Sequence, residues 1–200
     1  MAKVYPKAIK KGAMRALKSR AGENAARRVV EQRFEVARKK MISDFNKHAV
    51  TQEIEAGPHA ENISGRLGGY GNLFSFIGFS SSDRPISIVR EYMQRKPRVY
   101  KKAGVRIGAH SVDYTFRMAI PTVSEIEVLA QTPWGGRSWV SGIEKGISGL
   151  GYYMYNAQGI GASRSSTGVQ LENRLRSMTY RPVKYMTDIL KKFRKRVEVQ

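Results

Sequence analysis

The chain has 200 residues, 41% of them apolar, no cysteine, and a formal net charge of +20. This length and apolar content favour a folded domain with its own core over a disordered chain. The lack of cysteine excludes disulfides and cysteine zinc sites. No apolar run approaches the ~20 residues that span a bilayer, so we predict a soluble protein with no membrane partner.

The N-terminal quarter combines a basic arm with a long helix. Pro6 and Gly12 are expected to break any long helix in the first ~20 residues. From Glu23 to Lys47, apolar residues recur at steps of three and four, the period of an amphipathic helix. The apolar positions are Val30, Phe34, Ala37, Met41 and Phe45. At 1.5 Å per residue this helix is ~37 Å long, so we expect it to lie across a sheet or reach a neighbouring subunit.

The middle of the chain is predicted to contain a connector and strands. His48 to Gly65 is expected to be a connector, and Leu73 to Phe79 a short strand after a glycine-rich turn. Val99 to Ile120 is predicted to form an antiparallel hairpin with one wet face. The alternating apolar positions after its turn are Val112, Tyr114, Phe116, Met118 and Ile120.

Two helices are predicted after the hairpin. Ser124 and Glu127 have the spacing of a capping box, which predicts a short helix through about Ala130. Gly161 to Val169 is predicted to be a polar loop, and a second amphipathic helix follows with Pro182 in its first turn. Its inward positions are Met186, Ile189, Leu190, Phe193 and Val197.

These elements predict an α+β fold, with a long N-terminal amphipathic helix packed on an antiparallel β-meander, short helices, and a C-terminal amphipathic helix. We predict a basic arm at 1–22, a core domain at 23–160, and a polar loop with a basic helix at 161–200.

No motif in the sequence indicates catalysis. The glycine run at 68–71 lacks the lysine and Ser/Thr of a phosphate-binding loop, and Ser64 does not sit in a nucleophile elbow. The three histidines, His48, His59 and His110, stand apart and are predicted to be solvated loop residues. The paired glutamates at 53/55 and 125/127 have no convincing catalytic context. We therefore predict no enzyme activity, no metal and no cofactor.

The stretch "NISGRLGGYGNLFSFIGF", Asn62 to Phe79, combines glycines with large apolar side chains. In a lone monomer its aromatic rings form an exposed patch unless the segment is a core strand or a neighbouring copy covers it. Because a glycine-rich loop can change shape on docking, we favour cover by a second copy. Trp139 fits either core packing or an interface. The candidate partner-binding residues are Asn62, Ser64, Gly65, Leu67, Tyr70, Asn72, Leu73, Phe74, Phe76 and Trp139.

The basic segments have two interpretations: contact with DNA phosphates, or a solvated positive face. No helix-turn-helix, zinc finger or RNA-reading strand is present, so sequence-specific recognition is not expected. The candidate nucleic-acid contacts are Lys10, Lys11, Arg15, Lys101, Lys102, Lys191, Lys192, Arg194, Lys195 and Arg196.

Two short motifs carry a family resemblance. Ser64, Gly65 and Leu67 in "NISGRL" occupy a Ser/Thr-Gly-x-Leu element after the long helix, and "WGGRSWVSGIEKGISGLG" lies further along. Over 24–155 the chain resembles tailed-bacteriophage neck or tail-completion (minor tail) proteins, but it departs from them by inserting "GGYGNLFSFIGF".

The resemblance implies a virion structural protein, assembled in the host cytoplasm, that forms a homo-oligomeric ring at the head–tail junction. Such a connector, tail-completion or terminator ring would bridge the portal-side connector to the tail tube or sheath, with DNA passing nearby. The alternative is an accessory protein that binds DNA without sequence specificity.

Overall fold

The computed structural model describes residues 6–67, 71–108, 111–132, 136–146 and 182–198, with the backbone alone at 6–11 and 101–102. Across these ranges the fold is mixed α+β, and it includes the predicted long N-terminal helix and antiparallel strands. The helices are α1 (Pro6–Leu17), α2 (Arg20–Lys47), α3 (Ala49–Glu55), α4 (Leu73–Ile77), α5 (Pro85–Arg95), α6 (Val123–Leu129), α7 (Trp139–Lys145) and α8 (Tyr185–Val197). A 3₁₀ turn covers Gly57–His59, and the strands are β1 (Arg98–Ile107) and β2 (Val112–Ala119).

The basic arm is helical where the structure describes it, and α1 runs through Gly12, so the expected break at Gly12 is wrong. Pro6 is the first residue of α1, where a missing N–H costs nothing because the first turn has no acceptor for it. Ser19 then separates α1 from α2, and its hydroxyl accepts the N–H of Gly22 as an N-cap. The long helix therefore begins three residues before the predicted Glu23.

The long helix packs mainly against α8 and touches β2 over a shorter stretch. Phe34 meets Phe193 edge-on with ring centres 5.7 Å apart, and Phe45 stacks on Tyr185. The predicted inward faces of both helices are confirmed except at Val30, which is half-buried. The buried positions are Phe34, Ala37, Met41 and Phe45 on α2, and Met186, Ile189, Leu190, Phe193 and Val197 on α8.

The hairpin is confirmed, and only its base joins the core. Val99 pairs with Met118 near the body, and both pack against the core cluster. Ile107 pairs with Val112 at the far end, where neither residue takes part in that cluster. Register shifts interrupt β1 on either side of Lys102.

The predicted strand at Leu73 to Phe79 is wrong, because the segment forms the helix α4. Asn72 caps it by accepting the Ser75 N–H at 2.9 Å. Gly78, with φ of 86°, ends it in a left-handed turn in which the Phe79 N–H returns to the Phe74 carbonyl. A strand would place neighbouring apolar residues on opposite faces, whereas this one-turn helix buries all of them.

The expected exposed aromatic patch is also wrong. Phe74, Phe76 and Phe79 are 2%, 8% and 2% exposed in the single chain. Phe74 and Phe79 pack against each other, and Phe79 lies edge-on to Trp139 with ring centres 6.2 Å apart. The chain's own core covers these rings, so no second copy is needed to shield them from water.

The remaining boundaries shift by a few residues. The capping box of α6 is formed by Thr122 and Glu125, two residues before the predicted pair. Pro182 precedes α8 instead of lying in its first turn. The predicted connector at 48–65 contains α3 and the 3₁₀ turn. The predicted polar loop at 161–169 lies outside the described residues.

Truncating Phe74 should destabilise the monomer. We expect Phe74→Ala to lower the free energy of unfolding by roughly 3–5 kcal/mol, because a buried ring is lost and a cavity remains. Urea denaturation followed by circular dichroism measures this change. Ile88→Ala is the control, since Ile88 is exposed on α5. A Phe74→Ala protein as stable as the control would contradict the core placement.

Candidate functional site

Five of the ten predicted partner-binding residues are part of the monomer's core. Leu67, Leu73, Phe74, Phe76 and Trp139 are all buried. They are therefore not available to a partner on the folded surface. Of the remaining residues, Tyr70 lies outside the described ranges, and Asn72 is a buried helix cap.

The buried glutamate of α3 holds the segment before α4. Glu53 is fully buried, and its two carboxylate oxygens accept the backbone N–H groups of Ser64 and Leu73, each at 2.7 Å. Asn72 adds a second tie, because its amide donates to the carbonyls of Pro58 and Ala60 at 2.9 and 3.1 Å. Sequence analysis missed this site, although Glu53 lies on the buried face of α3 beside apolar residues.

The turn of "NISGRL" is held by its backbone and by one apolar anchor. The Gly65 N–H returns to the Asn62 carbonyl, and Gly65 has a φ of 63°, which favours glycine. Leu67 anchors the turn in the core. The amide of Asn62, the Ser64 hydroxyl and the Arg66 Nε are buried and make no hydrogen bond. These polar groups are therefore not used in holding the turn.

The histidine between α2 and α3 is not the solvated loop residue that we predicted. His48 caps α3, with its Nδ1 accepting the Val50 N–H at 3.3 Å, and its ring lies 4.7 Å from that of Tyr185. Burial lowers the pKa of His48, and the nearby Arg66 and Lys192 charges lower it further. His59 is exposed as predicted, and His110 is outside the described residues.

The predicted nucleic-acid contacts separate into two groups. The cations of α8 are exposed on one helix: Lys191, Lys192, Arg194, Lys195 and Arg196. Arg15 is exposed on α1, close to the hairpin, because the Tyr114 hydroxyl donates to the Leu17 carbonyl. Lys10 and Lys11 lie in α1 and Lys101 and Lys102 in β1, and their side chains are outside the described part of the structure.

A set of cations that sequence analysis missed joins the α8 group. Arg196 donates to Asp44 of α2 at 2.7 Å. Lys40 and Lys47 lie one helical turn before and after Asp44 on α2, and Lys192 lies one turn before Arg196 on α8. We call this surface, with Arg66, the α2–α8 edge. The spacing of Lys40 and Lys47 is visible in the sequence, but their proximity to α8 depends on the packing.

The most strongly perturbed carboxylate is structural. Lys96 donates to Glu125 at 2.8 Å and joins α5 to α6. This hydrogen bond, followed by the Tyr92 hydroxyl and the capping contacts of Thr122, lowers the pKa of Glu125 to about 2. Burial raises the pKa of Tyr92 to about 12. Within the described ranges, no group of three or more metal-ligating side chains occurs.

A cleft of about 250 Å³ lies between the end of α3 and the start of α5. Its apolar lining includes Ile54 and Phe74, and its polar lining includes Glu55 and Asp83. Glu55 already binds Arg90 at 2.6 Å, and Asp83 accepts a backbone N–H within its own loop. Both carboxylates are therefore committed to the fold.

In comparisons with protein-family models, curated proteins and solved structures, nothing matches this chain. None of the helices in the described part of the chain is long and apolar enough to cross a bilayer.

Replacing the buried carboxylate should loosen the segment before α4. We expect Glu53→Gln to lower the free energy of unfolding by about 1–3 kcal/mol. The glutamine NH₂ is a donor, so one of the two buried backbone N–H groups would lose its acceptor. Hydrogen exchange at the Ser64 and Leu73 amides should accelerate with it. Glu61→Gln, at an exposed position nearby, is the control. Unchanged exchange in Glu53→Gln would contradict the proposed tie.

The Lys96–Glu125 contact should make stability depend on acid pH. The folded pKa of Glu125 is about 2, below its ordinary value of 4.5, so its contribution is present above about pH 4.5 and is lost as pH falls towards 2. The stability difference between wild type and Glu125→Gln should therefore shrink over that window in urea titrations. Glu91→Gln, which removes an exposed pair on one helix, is the control. A difference that stays constant with pH would count against this contact.

Proposed function

We propose that this chain is a structural protein of a tailed-bacteriophage virion, which forms a homo-oligomeric ring in the neck at the head–tail junction. The resemblance of "NISGRL" and "WGGRSWVSGIEKGISGLG" to neck and tail-completion proteins supports the class. The apolar face of the hairpin is the observation that supports assembly. The aromatic segment at 72–79 does not support it, because its rings lie in the monomer's own core.

The far half of the hairpin has exposed apolar side chains that lie outside the core cluster. Val105 and Ile107 are 40% and 56% exposed, and they face the same side as Val112 and Tyr114, their paired residues on β2. A two-stranded hairpin is marginally stable alone in water, so covering this face would stabilise it. A contiguous exposed apolar face is typical of a protein–protein contact.

A second apolar patch lies on another part of the chain. Val128 and Leu129 of α6 are 71% and 40% exposed. The two patches lie at opposite ends of β2. Val112, at the far end of the strand, is seven residues, or roughly 23 Å, from Ala119, at the end that leads into α6. Two distinct patches on one chain suit a head-to-tail contact, the kind of contact that closes into a ring.

The proposed ring would contact the portal-side connector on one side and the tail tube or sheath on the other. The alternative is an accessory protein that binds DNA without sequence preference and needs no ring. The net charge of +20 supports this alternative, because a polyanion neutralises such an excess. Oligomeric state in the absence of DNA separates the two functions.

Placing a charge on the hairpin face should block assembly. We expect wild-type protein to form a closed oligomer whose fraction rises with concentration, and Ile107→Asp to remain monomeric, because a carboxylate on the contact face would lose its solvation. Native mass spectrometry and negative-stain microscopy measure this.

Ile88→Asp is the matched control, since Ile88 is 53% exposed on α5 and should assemble as wild type does. Circular dichroism checks that both variants fold. A monomeric wild-type protein at every concentration, or intact rings of Ile107→Asp, would overturn the proposed assembly.

A further inference from the structure

The α2–α8 edge is a strongly charged surface that the ring does not explain. Lys40, Lys47 and Lys192 are exposed, and no ion pair involves them in the described ranges. Arg196 is the member with a carboxylate partner, Asp44, which ties the two helices together. Three of the cations therefore have no carboxylate partner within the part of the chain that the structure describes.

Arg66 extends this surface from the turn of "NISGRL". It lies close enough to His48 for its charge to act there, as does Lys192 of α8. His48 directly follows Lys47, so the turn, the end of α2 and α8 meet at this histidine.

We propose that the α2–α8 edge binds the phosphate backbone of duplex DNA without sequence preference. The inference does not depend on the ring, because the surface is complete within one copy. Phosphate contacts fix position and carry no sequence information, so binding should not discriminate among sequences.

The charge balance of the edge favours an anionic ligand. Five cations lie here. The carboxylates among the described residues of this edge are Asp44, which is paired with Arg196, and Asp188, which lies one turn before Lys192 on α8 and close to His48. Like charges at this spacing repel one another in the free protein. A bound polyanion removes that repulsion and releases counterions, which is the main source of non-specific DNA affinity.

The spacing favours a regular array of anions over a single one. Lys40 and Lys47 are seven residues apart, or roughly 10 Å along α2. One DNA strand presents a phosphate every ~3.4 Å of helix axis, so this distance spans about three phosphates. Lys192 and Arg196 form a second row on α8, which an extended polyanion would reach at the same time.

The test compares two triple variants with the same loss of charge. The edge variant is Lys40→Gln/Lys47→Gln/Lys192→Gln. The control is Lys18→Gln/Arg106→Gln/Arg117→Gln, whose sites are exposed in the α1–α2 turn and on the hairpin and lie in no described ion pair. Fluorescence anisotropy with a labelled duplex of arbitrary sequence gives affinity across a salt series, and circular dichroism confirms folding.

We expect the edge variant to lose about 2.7 in the slope of log affinity against log salt, or roughly a hundredfold or more in affinity at ~0.1 M salt, while the control changes little. Equal losses in both variants would overturn the proposal, because the charge would then act without a dedicated surface. Absence of wild-type binding at ~50 mM salt would also overturn it. Displacement of the DNA by poly-glutamate at the same concentration of negative charge would also overturn the proposal, because that result would favour an acidic protein partner. Native mass measured without DNA tests the ring separately.

Discussion

The buried carboxylate of Glu53 sets the arrangement of the central part of the chain. A carboxylate taken out of water costs several kcal/mol unless hydrogen bonds replace its solvation. Here two backbone N–H groups at 2.7 Å do so, those of Ser64 and Leu73. Since Leu73 is the first residue of α4, the same contact fixes where that helix starts. Phe74 then packs on Phe79, Phe79 lies beside Trp139, and the core closes around them.

This arrangement separates residues that are buried in the core from residues that stay exposed and can contact a partner. The segment at 72–79 looks like an interaction element in the sequence, but its rings are all inside. The hairpin shows the opposite behaviour. Its regular alternation predicts a sheet with one buried face, and yet Val105 and Ile107 remain exposed. Surfaces for a partner therefore have to be sought where a regular element extends beyond the core, and not where large apolar residues are densest.

The sequence predicted elements that were long enough to show a period. The inward faces of α2 and α8 and the alternation in β2 follow from residue spacing alone. In α4 five residues are too few to distinguish a helical from an extended period, and the decisive signals were Asn72 and Gly78, a cap and a stop. Glu53 could not be found in this way, because its partners at 64 and 73 are brought to it by the fold. The same holds for the α2–α8 edge, where Lys40 and Lys192 are distant in sequence.

The charge of the chain constrains any ring built from it. Each copy adds +20, and with a Debye length of ~8 Å at physiological salt, neighbouring copies in contact repel one another. The apolar face of the hairpin has to offset this repulsion if copies join without a polyanion. DNA held at the α2–α8 edge of each copy would remove part of it, because the cations there have few carboxylate partners in the described structure. Ring closure and DNA binding would then support each other without any contact between the two surfaces, since both act on the same repulsion. High salt would replace DNA as a screening agent for assembly while weakening DNA binding itself, so the two processes respond to salt in opposite directions.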